Sequence, residues 1–236
     1  SPEGQIHTKT VNAVSYPILT TRKKERYPAQ TAISNNEKGI SWSLDAAKQL
    51  AYLKILSWHN SILKKQYHQH FNKEIRQFVK TLEQSGSKNL VIDLRDNQGG
   101  NGENGIYLLQ RLLDKPFTYF RSIKKRKGSL QDTARLVNSM KRLTRTWQPA
   151  RYTFNGKVFV LTNGGSFSNS GIFASVIQEQ KRGLIAGTET GGNNVILSGG
   201  ENYCILPNSR VHVFKATHQM IKKKKKKNTG RGVIPD

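Results

Sequence analysis

The chain is short of sulfur, of acid and of long apolar runs. A single cysteine, Cys204, among 236 residues excludes an internal disulfide framework and any multi-cysteine metal site. It lies in the strand-like run Tyr203 to Leu206, where the expected role is a small buried hydrophobe rather than a reactive thiol. No stretch approaches the roughly 18 consecutive apolar residues that span a membrane, and no charged-then-apolar segment opens the chain like a secretory signal. It opens Ser1-Pro2-Glu3 without methionine, so a trimmed piece of a longer protein is expected. Only 15 Asp and Glu face 39 Lys and Arg, a formal charge of +24.

That imbalance makes nucleic acid the first partner to weigh. The distribution argues against it. Six lysines form one run, Lys222 to Lys227, and others fall in short groups such as Arg22-Lys23-Lys24 and Lys124-Lys125-Arg126-Lys127; such runs repel themselves into solvated loops. Zinc-finger spacing, an aromatic RNA-binding signature and a glycine-rich phosphate loop are all missing. The expectation is no nucleic-acid partner, no cofactor and no metal, with acidic surfaces attracted to the lysine run.

Along the chain, residues 1–40 are polar with Thr/Val/Ile patches and prolines, and read as short strands and turns, the end of an upstream domain. Residues 41–236 then alternate. Ala51 to Trp58 reads as a strand. Phe71, Ile75, Phe78, Val79 and Leu82 recur at helical spacing over Tyr67 to Leu82, with Gly86 placed to end the helix. Asn89 to Leu94 is a short apolar strand of the kind covered on both faces. A glycine turn, Gly99-Gly100-Asn101-Gly102, leads into a second helix through Ile106, Leu109, Leu112 and Leu113. Lys115 to Pro149 is a basic insertion, read as two helices. Val158 to Leu161, the helix Ile172 to Gln180 and the strand Leu184 to Ala186 repeat the pattern, which implies an α/β fold with right-handed crossovers.

Between Val158 to Leu161 and Ile172 lies Asn163-Gly164-Gly165-Ser166-Phe167-Ser168-Asn169-Ser170. A hydroxyl at a tight strand-to-helix turn is held out of the core, and neighbouring amides with the positive helix end can stabilise an oxyanion. Ser168 is the first candidate nucleophile; the bland alternative is a simple turn.

Four motifs carry a resemblance. Asp93-Leu94-Arg95-Asp96-Asn97-Gln98-Gly99-Gly100, the alternating serines Ser166, Ser168 and Ser170, Gly187-Thr188-Glu189-Thr190-Gly191-Gly192, and Gly230-Arg231-Gly232-Val233-Ile234-Pro235-Asp236 stand in the order found in the C-terminal processing, or tail-specific, serine peptidases. Together they cover about residues 50 to 236. The resemblance implies the fold shared by the Clp protease (ClpP) and crotonase families, an exported or envelope location, and a peptide or protein substrate. It implies Ser168 as nucleophile and an oxyanion hole from the Gly99-Gly100 turn and the amide of Asn169. Glycine suits that turn because a side chain would block the substrate carbonyl.

One departure stands out. The bacterial processing branch places a lysine base 25 residues after the nucleophile, and position 193 here is Asn, which takes no proton at neutral pH. The tricorn-like branch draws a histidine from an N-terminal region together with an acidic partner, and this chain resembles it more closely. The base is then expected upstream of Ser1, with Glu189 as the acid that orients it. His59 is the best internal candidate. His68 and His70 are read as surface residues, Glu179 as a helix-end surface acid, and Asp93 with Arg95 as a buried structural pair; His7, His212 and His218 carry no motif. Two readings stay open: a serine endopeptidase acylated on Ser168, and a peptide-binding or scaffold protein that kept the fold and lost the base. Nothing in the sequence fixes the oligomeric state.

Overall fold

The computed structural model describes residues 38–126, 134–222 and 230–236. The expected strand-rich segment lies, as far as residue 37, outside the described residues, as do Lys223 to Lys227 of the lysine run. From residue 38 onward the chain forms one unit. Its elements are β1 (Ile40–Asp45), β2 (Leu50–Ile55), α1 (Asn60–Tyr67), α2 (Phe71–Gln84), β3 (Asn89–Asp93), α3 (Gly102–Leu109), β4 (Phe117–Thr118) and β5 (Ser122–Lys125). There follow α4 (Ala134–Thr144), β6 (Thr146–Trp147), β7 (Lys157–Thr162), α5 (Asn169–Glu179), β8 (Leu184–Gly187), β9 (Ile196–Ile205) and β10 (His212–Ile221).

Strand–helix alternation produces the expected α/β architecture. The main sheet runs β1-β2-β3-β7-β8; β1 is antiparallel to β2, and the pairs β2–β3, β3–β7 and β7–β8 are parallel. Each parallel crossover therefore steps in the same direction across the sheet. Crossovers of one hand taken in one direction put their helices on one side. Burial agrees: Leu53, Ile92, Val160 and Ile185 are cross-strand neighbours and almost fully buried. The opposite row, Tyr52, Val91 and Phe159, is half-exposed, and Leu184 is 54% exposed. The expectation that β3 is covered on both faces within this unit is thus corrected.

Helical spacing placed the core face of α2 well: Phe71, Ile75, Phe78 and Leu82 are its buried residues. The helix expected from Tyr67 starts at Phe71 instead; Tyr67 ends α1, an element not expected from the sequence, which closes where His68 takes a left-handed conformation, φ 53°. Gly86 follows the end of α2 with φ +64°. The basic insertion departs further from expectation. Its described part holds one helix, α4, and three short strands, because β5 is recruited by β10 into a second sheet, β5-β10-β9. Non-local pairing there overrides local helix preference. The distal end of the β9–β10 hairpin stands away from the core, so Cys204 is exposed rather than buried.

Candidate active site

Parallel strands leave their C-terminal ends on one edge, and the loops after β2, β3, β7 and β8 converge there. The three alternating serines separate physically. Ser166 is fully buried and its Oγ donates to the Leu94 carbonyl at 2.7 Å. Ser170 is also buried; its Oγ donates to the Asn97 carbonyl at 2.8 Å and accepts from the Trp58 indole Nε1 at 2.9 Å. Ser168, between them, is half-exposed, lines a cavity of about 730 Å³, and its Oγ makes no hydrogen bond among the described residues. Two serines brace the turn and the third is presented. Ser168 holds φ 55° and ψ −115° at the N-terminal end of α5, a region that side chains seldom occupy and that marks strained functional turns.

The glycine turn after β3 is pinned against this serine. Asn97, fully buried, donates from Nδ2 to the Ile55 carbonyl at 2.8 Å and accepts the Gly99 amide on Oδ1 at 2.9 Å. Trp58 N–H donates to the Gly99 carbonyl at 3.1 Å and Asn101 N–H to the Trp58 carbonyl at 3.1 Å, prolonging the β2–β3 ladder. Gly99 sits at φ +101°, and a Cβ there would lie 2.7 Å from the Ser168 Cβ; Gly100 sits at φ +137°, and a Cβ there would lie 2.5 Å from the His59 nitrogen. Only glycine fits either position.

The expected pair of hole donors divides accordingly. The Gly99 amide is spent on Asn97, whereas the amides of Gly100 and Asn169 meet no acceptor among the described residues. The Asn169 side chain is held away from the cavity: its Oδ1 accepts from the Tyr119 hydroxyl at 2.5 Å and its Nδ2 donates to the Asn101 carbonyl at 3.1 Å. Asp93 is buried beside this turn. Burial alone would raise its carboxyl, but bidentate contact with Arg95 (2.9 and 2.7 Å) and the Tyr52 hydroxyl (2.6 Å) outweighs it and holds the group below its ordinary value. The structural reading of Asp93 and Arg95 holds for the acid; the Arg95 side chain is 52% exposed.

Residues 49–236 match the model of peptidase family S41. The chain belongs to that family. Over 197 residues it is 28% identical to carboxyl-terminal-processing peptidase 2, chloroplastic, of Arabidopsis thaliana, covering 84% of this chain and 34% of the relative. Over 180 residues it is 26% identical to the tail-specific protease of Haemophilus influenzae, covering 76% of this chain and 22% of the relative. The chain thus spans about a third or less of these two relatives. Among solved structures, mature CPAF superposes with a TM-score of 0.54 at 18% identity, over 83% of this chain and 48% of that one. A lipoprotein from Streptococcus agalactiae gives 0.53 at 16%, over 90% and 68%. At these identities the superpositions speak for a shared fold.

In this S41 chain the cavity above Ser168 has two walls. The floor is the turn-bearing edge of the main sheet. The opposite wall is a cap built from the β5-β10-β9 sheet and α4. Along β10, Ala216, His218 and Met220 alternate onto the cavity side. Two histidines reach the cavity. His59, exposed, caps α1 beside Gly100; His218 is 4% exposed, with Nδ1 2.8 Å from the Thr217 Oγ1. Motif reading passed over His218; the period-two alternation of β10 is the signal that finds it. His68 and His70 are exposed at the ends of α1 and α2.

Glu189 is placed elsewhere. It does not line the cavity; its Oε1 and Oε2 accept from the Arg231 Nε at 2.8 and 3.0 Å, and Oε1 also accepts the Gly232 amide at 2.8 Å. The Arg231 guanidinium, then that amide, hold its carboxyl below the ordinary value. With Thr190, which exchanges two hydrogen bonds with Val233 at 2.8 and 3.0 Å, it docks the C-terminal motif onto the β8 loop. Asn193, where the processing branch carries lysine, accepts the amides of Val195 and Ile196 at 2.8 and 3.1 Å and so starts β9; it too lies off the cavity. Glu179 is half-buried rather than a surface acid, facing the buried Lys222 at 3.4 Å.

Proposed function

We propose that this chain is the catalytic part of a serine endopeptidase of the C-terminal processing or tricorn-like kind, acylated on Ser168. The supporting observation is one half-exposed hydroxyl on a strained turn, between two buried serines and beside the amides of Gly100 and Asn169, all three without a hydrogen bond among the described residues. In this reading Ser168 Oγ attacks the peptide carbonyl, and the carbonyl oxygen becomes an oxyanion received by the two N–H groups. Removing one such donor lowers kcat by about 10²–10³ in a comparable site. Collapse expels the amine with the proton taken from Ser168, and water then hydrolyses the ester.

His218 is the internal residue assigned as base. It is buried in the cap wall of the same cavity, where Thr217 Oγ1 lies 2.8 Å from Nδ1 and would orient the ring. His59 lines the same cavity but is exposed, at the start of α1 beside Gly100. Glu189 acts in this scheme as the anchor of the C-terminal motif. The parallel edge with its two glycine-bearing turns supports the ClpP/crotonase-like assignment, and kinship supports an exported or envelope location; no helix among the described residues is long and apolar enough to cross a membrane.

Fluorophosphonate labelling followed by mass spectrometry tests the scheme: the adduct belongs on Ser168, and His218→Gln should sharply lower the labelling rate while His59→Ala preserves it. The second reading, a peptide binder without turnover, is favoured by Asn at 193 and by the lack, among the described residues, of a base hydrogen-bonded to Ser168 Oγ. It is the one left standing if Ser168 stays unlabelled while peptides still bind saturably.

A further inference from the structure

The positive charge of the chain is concentrated where the cap is made. Segments 115–149 and 196–229 hold 18 of the 39 Lys and Arg but only two of the 15 Asp and Glu; Lys127 and Lys223 to Lys227 among them lie outside the described residues. These are the segments that supply β5, α4, β9 and β10. In the described part, Arg121, Lys124, Arg126, Lys141 and Lys215 are exposed, and no acid is paired with any of them among the described residues. Glu103, which faces α4, is already taken by Arg142 at 2.8 Å. Lys215 lies on the cavity wall itself.

We propose that the cap is a docking surface for acidic polypeptide, and that the substrates delivered to Ser168 are segments flanked by Asp and Glu. This rests on the reading that the cavity receives a peptide. A one-signed field around a cleft raises the local concentration of oppositely charged ligand and its arrival rate. The choice of polypeptide over nucleic acid follows from what the basic residues surround. The inner cap wall places Phe120, Ile123, Leu143 and Met220 beside Lys215 and His218, apolar seats for side chains next to a cation. The basic strand itself, Ser-Ile-Lys-Lys at 122–125, offers no aromatic ring on which bases would stack.

The test uses the Ser168→Ala form of this chain and three fluorescein-labelled peptides with one shared central sequence and acidic, neutral or basic flanks, read by anisotropy at 50 and 500 mM salt. Expected is binding of the acidic peptide at least about tenfold tighter than the neutral one at low salt, with the gap collapsing at high salt as the charges are screened. The combined variant Arg121→Glu, Lys124→Glu, Arg126→Glu should erase the gap while leaving the fluorophosphonate labelling of an otherwise unaltered Ser168 chain unchanged. Equal binding of acidic and neutral peptides, or a gap that survives the charge reversal, overturns the proposal. So does a 20-nucleotide single-stranded DNA that binds more tightly than the acidic peptide, since it would reassign the surface to nucleic acid. Because binding is read on a form that cannot acylate, a negative labelling result sinks the peptidase reading without touching this one.

Discussion

Ser168 stores backbone strain that glycine would release. Its φ of 55° with ψ of −115° is a conformation that side-chain-bearing residues adopt at a penalty of about 1–3 kcal/mol. Replacing it with glycine removes the Cβ that causes the penalty, while the greater freedom of glycine in the unfolded chain returns about 0.5–1 kcal/mol. The lost hydroxyl contributes little, since it is half-exposed and makes no hydrogen bond among the described residues. Ser168→Gly should therefore stabilise the protein by a net of about 0.5–2 kcal/mol, which at this chain length raises Tm by about 1–8 °C. Ser168→Ala keeps the Cβ and the strain, and should melt within about a degree of the parent. Differential scanning calorimetry on the three forms decides the matter, with fluorophosphonate labelling absent from both variants. A glycine form that melts at or below the alanine form would refute the claim that the turn is held against its preference.

Asn97→Ala leaves the Ile55 carbonyl and the Gly99 amide buried without partners, each worth about 1–3 kcal/mol. The unfolding free energy from urea titration should fall by about 2–6 kcal/mol, and labelling of Ser168 should drop with it; a loss under about 1 kcal/mol would show that the turn stands without this anchor. Asn193→Lys should leave the labelling rate within about twofold, because position 193 points its side chain at the β9 amides; a gain beyond about tenfold would reveal a lysine able to reach the nucleophile. Glu189→Gln should lower Tm by loosening the C-terminal motif yet retain labelling, and a labelling-dead variant with unchanged Tm would return Glu189 to the catalytic set. Asp93, lowered in the folded state, contributes stability present above the unfolded carboxyl value of about 3.9 and lost as pH falls through the folded one. Asp93→Asn should flatten the acid limb of the stability profile, and an acid limb of undiminished slope would rule out this group as its source.

The alternation of strand and helix was legible where strands are short and apolar with glycine nearby, as Leu90 to Ile92 after Gly86 and Val158 to Leu161 between Gly156 and Gly164 illustrate. The Ser168 turn was legible for a related reason: small residues at a strand-to-helix junction are dictated locally. The handing of all helices to one face was not, since it depends on crossovers being taken in one direction, a property of the sheet order and not of any strand. Cys204 and the Lys115 to Pro149 insertion were misread on the same ground. Their environments are set by β9, β10 and β5 finding one another across the chain, and burial in a protruding hairpin follows from that pairing rather than from the hydrophobicity of residues 203–206.

The division between floor and cap explains why the motifs announced a nucleophile but no base. Every group that fixes Ser168 and its two amides belongs to loops whose conformation is forced by glycine, by a buried asparagine or by a serine bonded to backbone, so the residue types themselves are diagnostic. A base has no such requirement; it needs only a face and a reach. His218 satisfies the first because residues 216, 218 and 220 alternate onto the cavity side of β10, a fact expressed in the pairing of Met220 with Leu197 and of His218 with Gly199 and in no local motif. Chemistry carried by a turn is written in residue identity, whereas chemistry carried by a strand face is written in register, and register is what folding supplies.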